Sequence, residues 1–382
     1  MKTFFIGLAA AIVLSGCTMF ECKKNTSENS VAYVGKKLKA GYYIGDGSSG
    51  HGVYWLARLL HYSPQLETVL LDGKDIQNGK LDGLDILVVP GGDSWRQSDD
   101  IGEKGGEKIR EFVRKGGAYW GICAGFHCAL NKPDRLRLVP YTYIEGVRGY
   151  KADLAIDINK KGAEILGIRG GRYFVTYSNG PISKEINEWK HGKTETLAIY
   201  RSTVSSLGVP SNFMNAPALI YGNYGKGKVI ATSFHPEMHR GNDPISMGCI
   251  YAVTGVRPTP VYPVKNYRPV RVAFAVGYTK GKTPIYQLLE LDKEKDLDVT
   301  MLGEAELAKG ILHHTDIVVF PDANPNGIKY TINKYMKELK DFLNNNGRIV
   351  AGEKLKGILP EHENITYIPS NSSFVKEALK RP

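Results

Sequence analysis

The chain has 382 residues, 42% hydrophobic and 23% charged with 43 glycines, a globular composition too long for one ordinary core, so two domains are expected. Its formal charge is +11. The Lys and Arg are scattered, without a basic run or interleaved aromatics, which argues against nucleic acid as a partner and for a solvated surface, with an anionic envelope surface as the secondary explanation. Five cysteines without regular spacing give no disulfide framework.

The N-terminus reads as a targeting segment. Lys2 precedes an apolar run, Phe4 to Leu14, that is too short to span a membrane as a stable helix. Leu14-Ser15-Gly16-Cys17 resembles a bacterial lipoprotein box, which implies a signal peptide over 1–16, lipidation of Cys17 and a polar tether over 17–36. An ordinary signal peptide with an incidental Cys is the alternative. Lipid at Cys17 would hold the protein on the outer side of a bacterial membrane, in the cell envelope, with its body in water.

Leu38 to Ile44 reads as a first strand, with Asp46-Gly47-Ser48-Ser49-Gly50 as its exit loop. Val53 to Leu60 has helical spacing, with Ser49 placed to cap it. The loop lacks a phosphate-binding pattern. It reads either as a loop lining a site at the sheet's C-terminal edge or as a plain tight turn. Leu84 to Pro90 is a buried parallel strand by its continuous apolar run, ending in Gly91-Gly92-Asp93. Glu107 to Arg114 reads as a helix stopped by Gly116-Gly117.

Gly117 to Gly125 is the stretch around which the chain is organised. Gly121-Ile122-Cys123-Ala124-Gly125 has the G-x-C-x-G form of a nucleophile elbow, a sharp strand-to-helix turn. A helix starting under Cys123 favours a thiolate. Tyr141 to Asp157 and Gly171 to Ser178 read as strands, and Pro217–Tyr221 with Gly227–Thr232 as a hairpin. That hairpin delivers Ser233-Phe234-His235-Pro236-Glu237, a base with its orienting carboxylate two residues on. Cys123, His235 and Glu237 are therefore the candidate catalytic residues. Cys128 and Cys249 read as buried small hydrophobes. No metal site is expected: Pro236 breaks the ligand face that His235, Glu237 and His239 would share. No cofactor is expected either.

These motifs resemble the class I glutamine amidotransferase superfamily. The V-P-G-G-D, G-I-C-A-G-F and S-N-G-P stretches are similar to the N-terminal domain of some biotin-protein ligases, over roughly Lys37 to Thr254. The resemblance implies an α/β fold, a flavodoxin-like three-layer sandwich with amidotransferase-like topology over 37–255. It implies an oxyanion hole from the N–H of Gly92 (or Gly91) and that of Ala124, with Asp93 beside them, and a substrate-facing loop at Asn179-Gly180. Members that hydrolyse glutamine carry Gln four residues after the nucleophile. Here that position is His127, which points away from glutamine as substrate. Nothing in this sequence resembles a biotin-ligase catalytic domain, so biotinylation is not implied.

The chain then repeats itself. Asp85 to Pro90 recurs as Asp316 to Pro321 at an offset of 231, and Glu111 to Gly117 as Asp341 to Gly347 at 230. A truncated duplicate α/β domain is expected over 270–382, after a proline-rich linker at 256–269. Cys123 aligns with Glu353, so the copy lacks a nucleophile. Two functions fit: a membrane-anchored Cys-His-Glu hydrolase or amidotransferase-like enzyme acting on a small-molecule or peptide amide or γ-glutamyl bond, and a non-catalytic ligand-binding lipoprotein on the same fold.

Overall fold

The computed structural model describes residues 35–145, 151–186, 189–204, 214–238, 243–276, 281–322, 325–369 and 372–380. Cys17, Cys22, His239 and the signal segment lie outside the described residues. Among the described residues no helix is long and apolar enough to cross a membrane.

The first half opens with β1 (Leu38–Tyr43), α1 (His51–His61), β2 (Leu66–Leu71), α2 (Gly73–Gln77), β3 (Ile86–Val89), α3 (Ser94–Lys115), β4 (Ala118–Ile122) and α4 (Ala124–Ala129). It continues through β5 (Tyr141–Glu145), β6 (Lys151–Ile158), α5 (Lys160–Leu166), β7 (Gly171–Ser178), β8 (Ile182–Glu185), β9 (Thr194–Tyr200), β10 (Pro217–Tyr224), β11 (Gly227–Thr232) and α6 (Asp243–Thr254). Nine strands form one sheet in the order β2-β1-β3-β4-β11-β10-β9-β6-β7. The strands from β2 to β11 run parallel, and β10, β9, β6 and β7 follow antiparallel.

The central strands are apolar throughout because helices cover both faces. Alternate residues face opposite sides. Tyr42, Val88 and Trp120 pack with α1, α5 and α6, while Tyr43, Leu87, Val89 and Tyr119 pack with α2, α3 and α4. This is the expected three-layer α/β sandwich.

Three local expectations need correction. Ser49 does not cap α1: Gly50 stands at the N-cap with φ 84°, and no side chain caps the helix. The helix expected from Glu107 begins at Ser94, with a break at Gly102 (φ 64°, ψ 175°) that interrupts its pattern. The strand expected over 141–157 is two, separated by residues 146–150, which lie outside the described residues. β5 leaves the main sheet to pair with β8, and β6 joins β7 and β9.

The second half comprises β12 (Val270–Ala275), α7 (Thr283–Lys293), β13 (Leu297–Leu302), α8 (Glu304–Ala308), β14 (Ile317–Phe320), α9 (Pro325–Lys334), α10 (Met336–Asn344), β15 (Arg348–Gly352), β16 (Ile365–Ile368) and α11 (Phe374–Ala378). Its sheet is entirely parallel, in the order β13-β12-β14-β15-β16. Helices α7 and α11 cover one face, and α8, α9 and α10 the other. One apolar core runs through α1 and α7 and joins both sheets, with Tyr54 edge-on to Phe274 at 5.7 Å. Arg58 reaches across it to the fully buried Asp292, through Nε at 2.9 Å and Nη2 at 3.0 Å. Residues 256–269 form neither helix nor strand, and Val261 N–H donates to the Tyr62 carbonyl at 2.8 Å.

Candidate active site

Cys123 stands where β4 ends and α4 begins, at φ 50° and ψ −101°. An L-residue takes that conformation only under constraint from its surroundings. The constraint is visible on both sides. Cys123 N–H donates to the Thr232 carbonyl at 2.8 Å, extending the β4–β11 ladder, while its own carbonyl accepts from His127 N–H at 3.0 Å as the first helical bond of α4. The flanking glycines let α4 sit directly on the sheet. A Cβ at Gly125 would lie 2.2 Å from the Val89 carbonyl oxygen, and one at Gly121 would lie 2.6 Å from the backbone of Gly125.

His235 and Glu237 follow β11 at the same sheet edge. His235 N–H donates to the Thr176 carbonyl at 2.8 Å, tying this segment to β7. Pro236–Met238 forms a single 3-10 turn that folds Glu237 back onto the imidazole. His235 Nδ1 donates to Glu237 Oε1 at 2.8 Å, which directs Nε2 toward the sulfur. All three side chains are buried. Glu237 Oε2 is buried without a hydrogen-bond partner, so the carboxylate's charge is neutralised by little besides the imidazole.

Burial pushes the His235 imidazolium down, but the adjacent Cys123 sulfur and Glu237 carboxylate, which also hydrogen-bond to it, outweigh burial. They hold His235 well above the usual histidine range. The arrangement favours an imidazolium beside the sulfur. Cys123 Sγ also lies 3.3 Å from the Ser178 carbonyl, to which the neutral thiol donates. The other two described cysteines are chemically quiet: burial raises Cys128 to about 11, and burial raises Cys249 further.

The remaining candidate residues surround this trio. Gly91 lies against the imidazole, where a Cβ would come 2.4 Å from His235 Cε1. Gly92 has φ 141° and bridges to Ser48, while Asp93 N–H donates to the Gly47 carbonyl at 2.8 Å. The Asp46–Gly50 loop therefore braces the glycine pair. The Asp93 side chain caps α3, accepting from Trp95 and Arg96 N–H at 3.0 and 3.3 Å. Ala124 is the first residue of α4. Asn179 is left-handed at φ 59°, and Gly180 presses on the Ser233 carbonyl, where a Cβ would come within 1.6 Å. The Tyr177 hydroxyl holds Gly180 by its carbonyl at 2.9 Å.

His127 is held differently from a substrate-facing amide. Its Nδ1 accepts from Arg135 Nε at 3.1 Å, and its ring packs edge-on to Tyr143. Burial, then Arg135 and Lys132, lower it to about 4, so it is a neutral acceptor at pH 7.

Sequence reasoning missed two positions. Gly52, near the start of α1, touches the carboxylate, since a Cβ there would lie 2.1 Å from Glu237 Oε1. One residue earlier, His51 Nε2 meets Glu306 of the second half at 2.8 Å. Neither carries a sequence signal, because both contacts depend on how α1 is docked. Among the described residues no group of three His, Cys, Asp or Glu is placed to hold a metal.

Residues 43–132, from the end of β1 through α4, match the family model described as "Biotin-protein ligase, N terminal". A biotin–protein ligase of Schizosaccharomyces pombe is 28% identical over 184 residues, covering 42% of this chain and 26% of that protein. The chain thus spans about a quarter of that relative's length. Similar solved structures include a putative GMP synthase component from Thermoplasma acidophilum, with 19% identity over 57% of this chain and 94% of that one and a TM-score of 0.38. PurLQS from Thermotoga maritima follows at 16%, 56%, 96% and 0.41. Superpositions this loose add nothing to the strand order itself. Through the elbow and its helix, this chain is similar to the N-terminal domain of biotin-protein ligases, on an α/β frame with a nine-stranded sheet.

Proposed function

We propose that the chain is a Cys-His-Glu hydrolase or amidotransferase-like enzyme acting on an amide, peptide or γ-glutamyl bond, anchored in the cell envelope by lipid on Cys17. The observation that carries this reading is the strained Cys123 elbow facing the buried His235–Glu237 pair. With the thiol proton already held on His235 Nε2, the Cys123 thiolate adds to the substrate carbonyl carbon. The N–H of Ala124 and of Gly92 (or Gly91) hold the oxyanion. Collapse breaks the C–N bond, and the leaving amine takes its proton from His235. Water, giving its proton to His235, then cleaves the thioester and frees the acid and the Cys123 thiol. Glu237 keeps His235 in the productive tautomer throughout.

Iodoacetamide labelling at Cys123 tests the reading, with Cys128 and Cys249 as internal controls. Wild type should label selectively near neutral pH, and His235→Ala should label at least about tenfold more slowly, since one positioned acid–base group contributes roughly 10²–10⁴ in rate. Labelling indifferent to the mutation would sink it. The binding-protein reading has one observation in its favour, the neutral-thiol contact to the Ser178 carbonyl in a closed site. It predicts ligand affinity unchanged in Cys123→Ala.

A further inference from the structure

A second recess lies between the break in α3 and the turn that follows α4. Its volume is about 320 Å³, and Ser98, Gly102, Arg110, Cys128, Arg135 and Arg137 contribute to its lining. Arg135 is its central feature. The residue is 5% exposed, and the guanidinium lies over the Trp95 ring at 4.2 Å. Nε donates to His127, and Nη1 donates to Ser98 Oγ at 3.3 Å and to the Asp134 carbonyl at 2.9 Å. Nη1 also pairs with the Asp134 carboxylate at 2.8 Å. Nη2 is buried and has no hydrogen-bond partner. A buried guanidinium nitrogen left unpaired is costly, and a planar fork with one free arm is the shape that accepts an oxyanion.

The surroundings have the same sign. Arg110 and Arg137 add two guanidinium groups to the lining, against Glu103 and the partly exposed Asp134, which Arg135 already engages. Gly102 ends one helical segment within α3, so the segment starting at Glu103 brings the positive end of its dipole to the recess that Gly102, Glu103 and Gly106 line. Gly106 leaves room for Arg110, whose Nη1 would lie 3.5 Å from a Cβ there. Cys128 contributes no thiolate, because burial keeps it protonated at pH 7.

We propose that this recess binds a small oxyanion, a phosphate or carboxylate group, which completes the coordination of Arg135 Nη2. Arg135 is hydrogen-bonded to His127, which lies one helical turn from Cys123 on the helix that begins at the elbow, so the recess is linked to the elbow through that bond.

The test is calorimetric titration of the full chain with inorganic phosphate, and separately with acetate, at constant ionic strength. Saturable binding of either is expected, and the tighter of the two identifies the ligand's anionic group. Trp95 reports location: phosphate should change the indole emission of wild type, and Trp95→Phe should abolish the change while binding persists. Arg135→Met should remove binding. Should that variant fail to fold, the rim variant Arg110→Gln/Arg137→Gln should still weaken binding at least about tenfold. No saturable binding of either anion by wild type, or unchanged affinity in the rim variant, would overturn the proposal.

Discussion

The two halves of this chain share a scaffold down to single hydrogen bonds. Both sheets run second-first-third-fourth, β2-β1-β3-β4 and β13-β12-β14-β15. Asp85 accepts from Lys39 N–H at 2.7 Å, and Asp316 accepts from Arg271 N–H at 2.8 Å. Gly117 N–H donates to Phe112 at 3.0 Å, and Gly347 N–H to Phe342 at 2.9 Å. In both pairs the phenyl ring fills the space where the glycine's Cβ would be. The halves part at the C-terminal ends of the strands. After β4 comes a left-handed Cys123 and an α-helix; after β15 comes Glu353, exposed, in a 3-10 turn with ordinary backbone angles. Gly91, against the imidazole, corresponds to Asp322, which pairs with Lys354 at 3.0 Å. The common parts are what hold an α/β layer together. The differing parts are what this fold offers to ligands.

Breaking the join between the halves should have the largest effect on stability. Asp292 is fully buried and held by Arg58 from the other sheet's helix. Asp292→Ala leaves Arg58 in the shared core without its partner and should cost about 3–5 kcal/mol in urea unfolding, the range for breaking a buried pair. A loss below about 1 kcal/mol would mean that the Arg58–Asp292 pair adds little to the join.

The two elbows offer a sharper contrast. Gly121 and Gly125 correspond to Ala351 and Leu355, and Leu355 is buried. The first half needs glycine because α4 lies against the backbone of β3 and β4; the second fills the same place with a side chain. Gly125→Ala should destabilise by about 1–3 kcal/mol through overpacking, and with it Cys123 should lose selective labelling. Leu355→Ala should destabilise by about 2–5 kcal/mol through a cavity and leave Cys123 labelling intact. Similar labelling in both variants would show that the elbow's strain is unconnected to reactivity.

The motifs made the elbow and the His235-Pro236-Glu237 segment legible, because a nucleophile turn and a base–carboxylate pair each sit within a few residues of sequence. Strands β3 and β14 were legible for the same reason, as short continuous apolar runs, whereas β2, β9, β13 and β16 were not. The break at Gly102 was not, since a helix interrupted by Gly102, Gly105 and Gly106 loses its periodicity. Nor was the contact of Gly52 with Glu237, or of His51 with Glu306. Those arise from docking α1 between two sheets, and no local pattern encodes the angle of a docked helix.

Acid should separate two half-buried groups, one in each half, by pH window. His127 is depressed to about 4 by burial, Arg135 and Lys132, so the unfolded chain binds that proton more tightly. Its contribution is fully present above the unfolded value of about 6.5 and is lost as pH falls toward 4, by at most about 3 kcal/mol at ~1.4 kcal/mol per unit. Burial raises Glu306, but its bonds to His51 and to backbone N–H outweigh that and hold it at about 2, so its contribution disappears lower, between about 4.5 and 2. His127→Gln should flatten the stability profile between pH 6.5 and 4 and leave the lower window unchanged. A slope that survives the substitution would assign that window to other groups.

The smallest expected effect is the most direct test of what the copy lacks. Glu353 occupies the elbow position of the second half and is exposed, at the end of a strand with no H-P-E segment beside it. Glu353→Cys should leave stability within about 0.5 kcal/mol, as surface substitutions generally do. The new thiol should label as an ordinary exposed cysteine, its rate rising with pH toward ~8.5 and indifferent to His235→Ala. In the same molecule Cys123 should label near neutral pH and lose that reactivity in His235→Ala. Two cysteines at equivalent ends of equivalent strands would then differ by burial, the strained turn and the imidazole, and equal behaviour of the two would remove the turn and the imidazole from the account of reactivity.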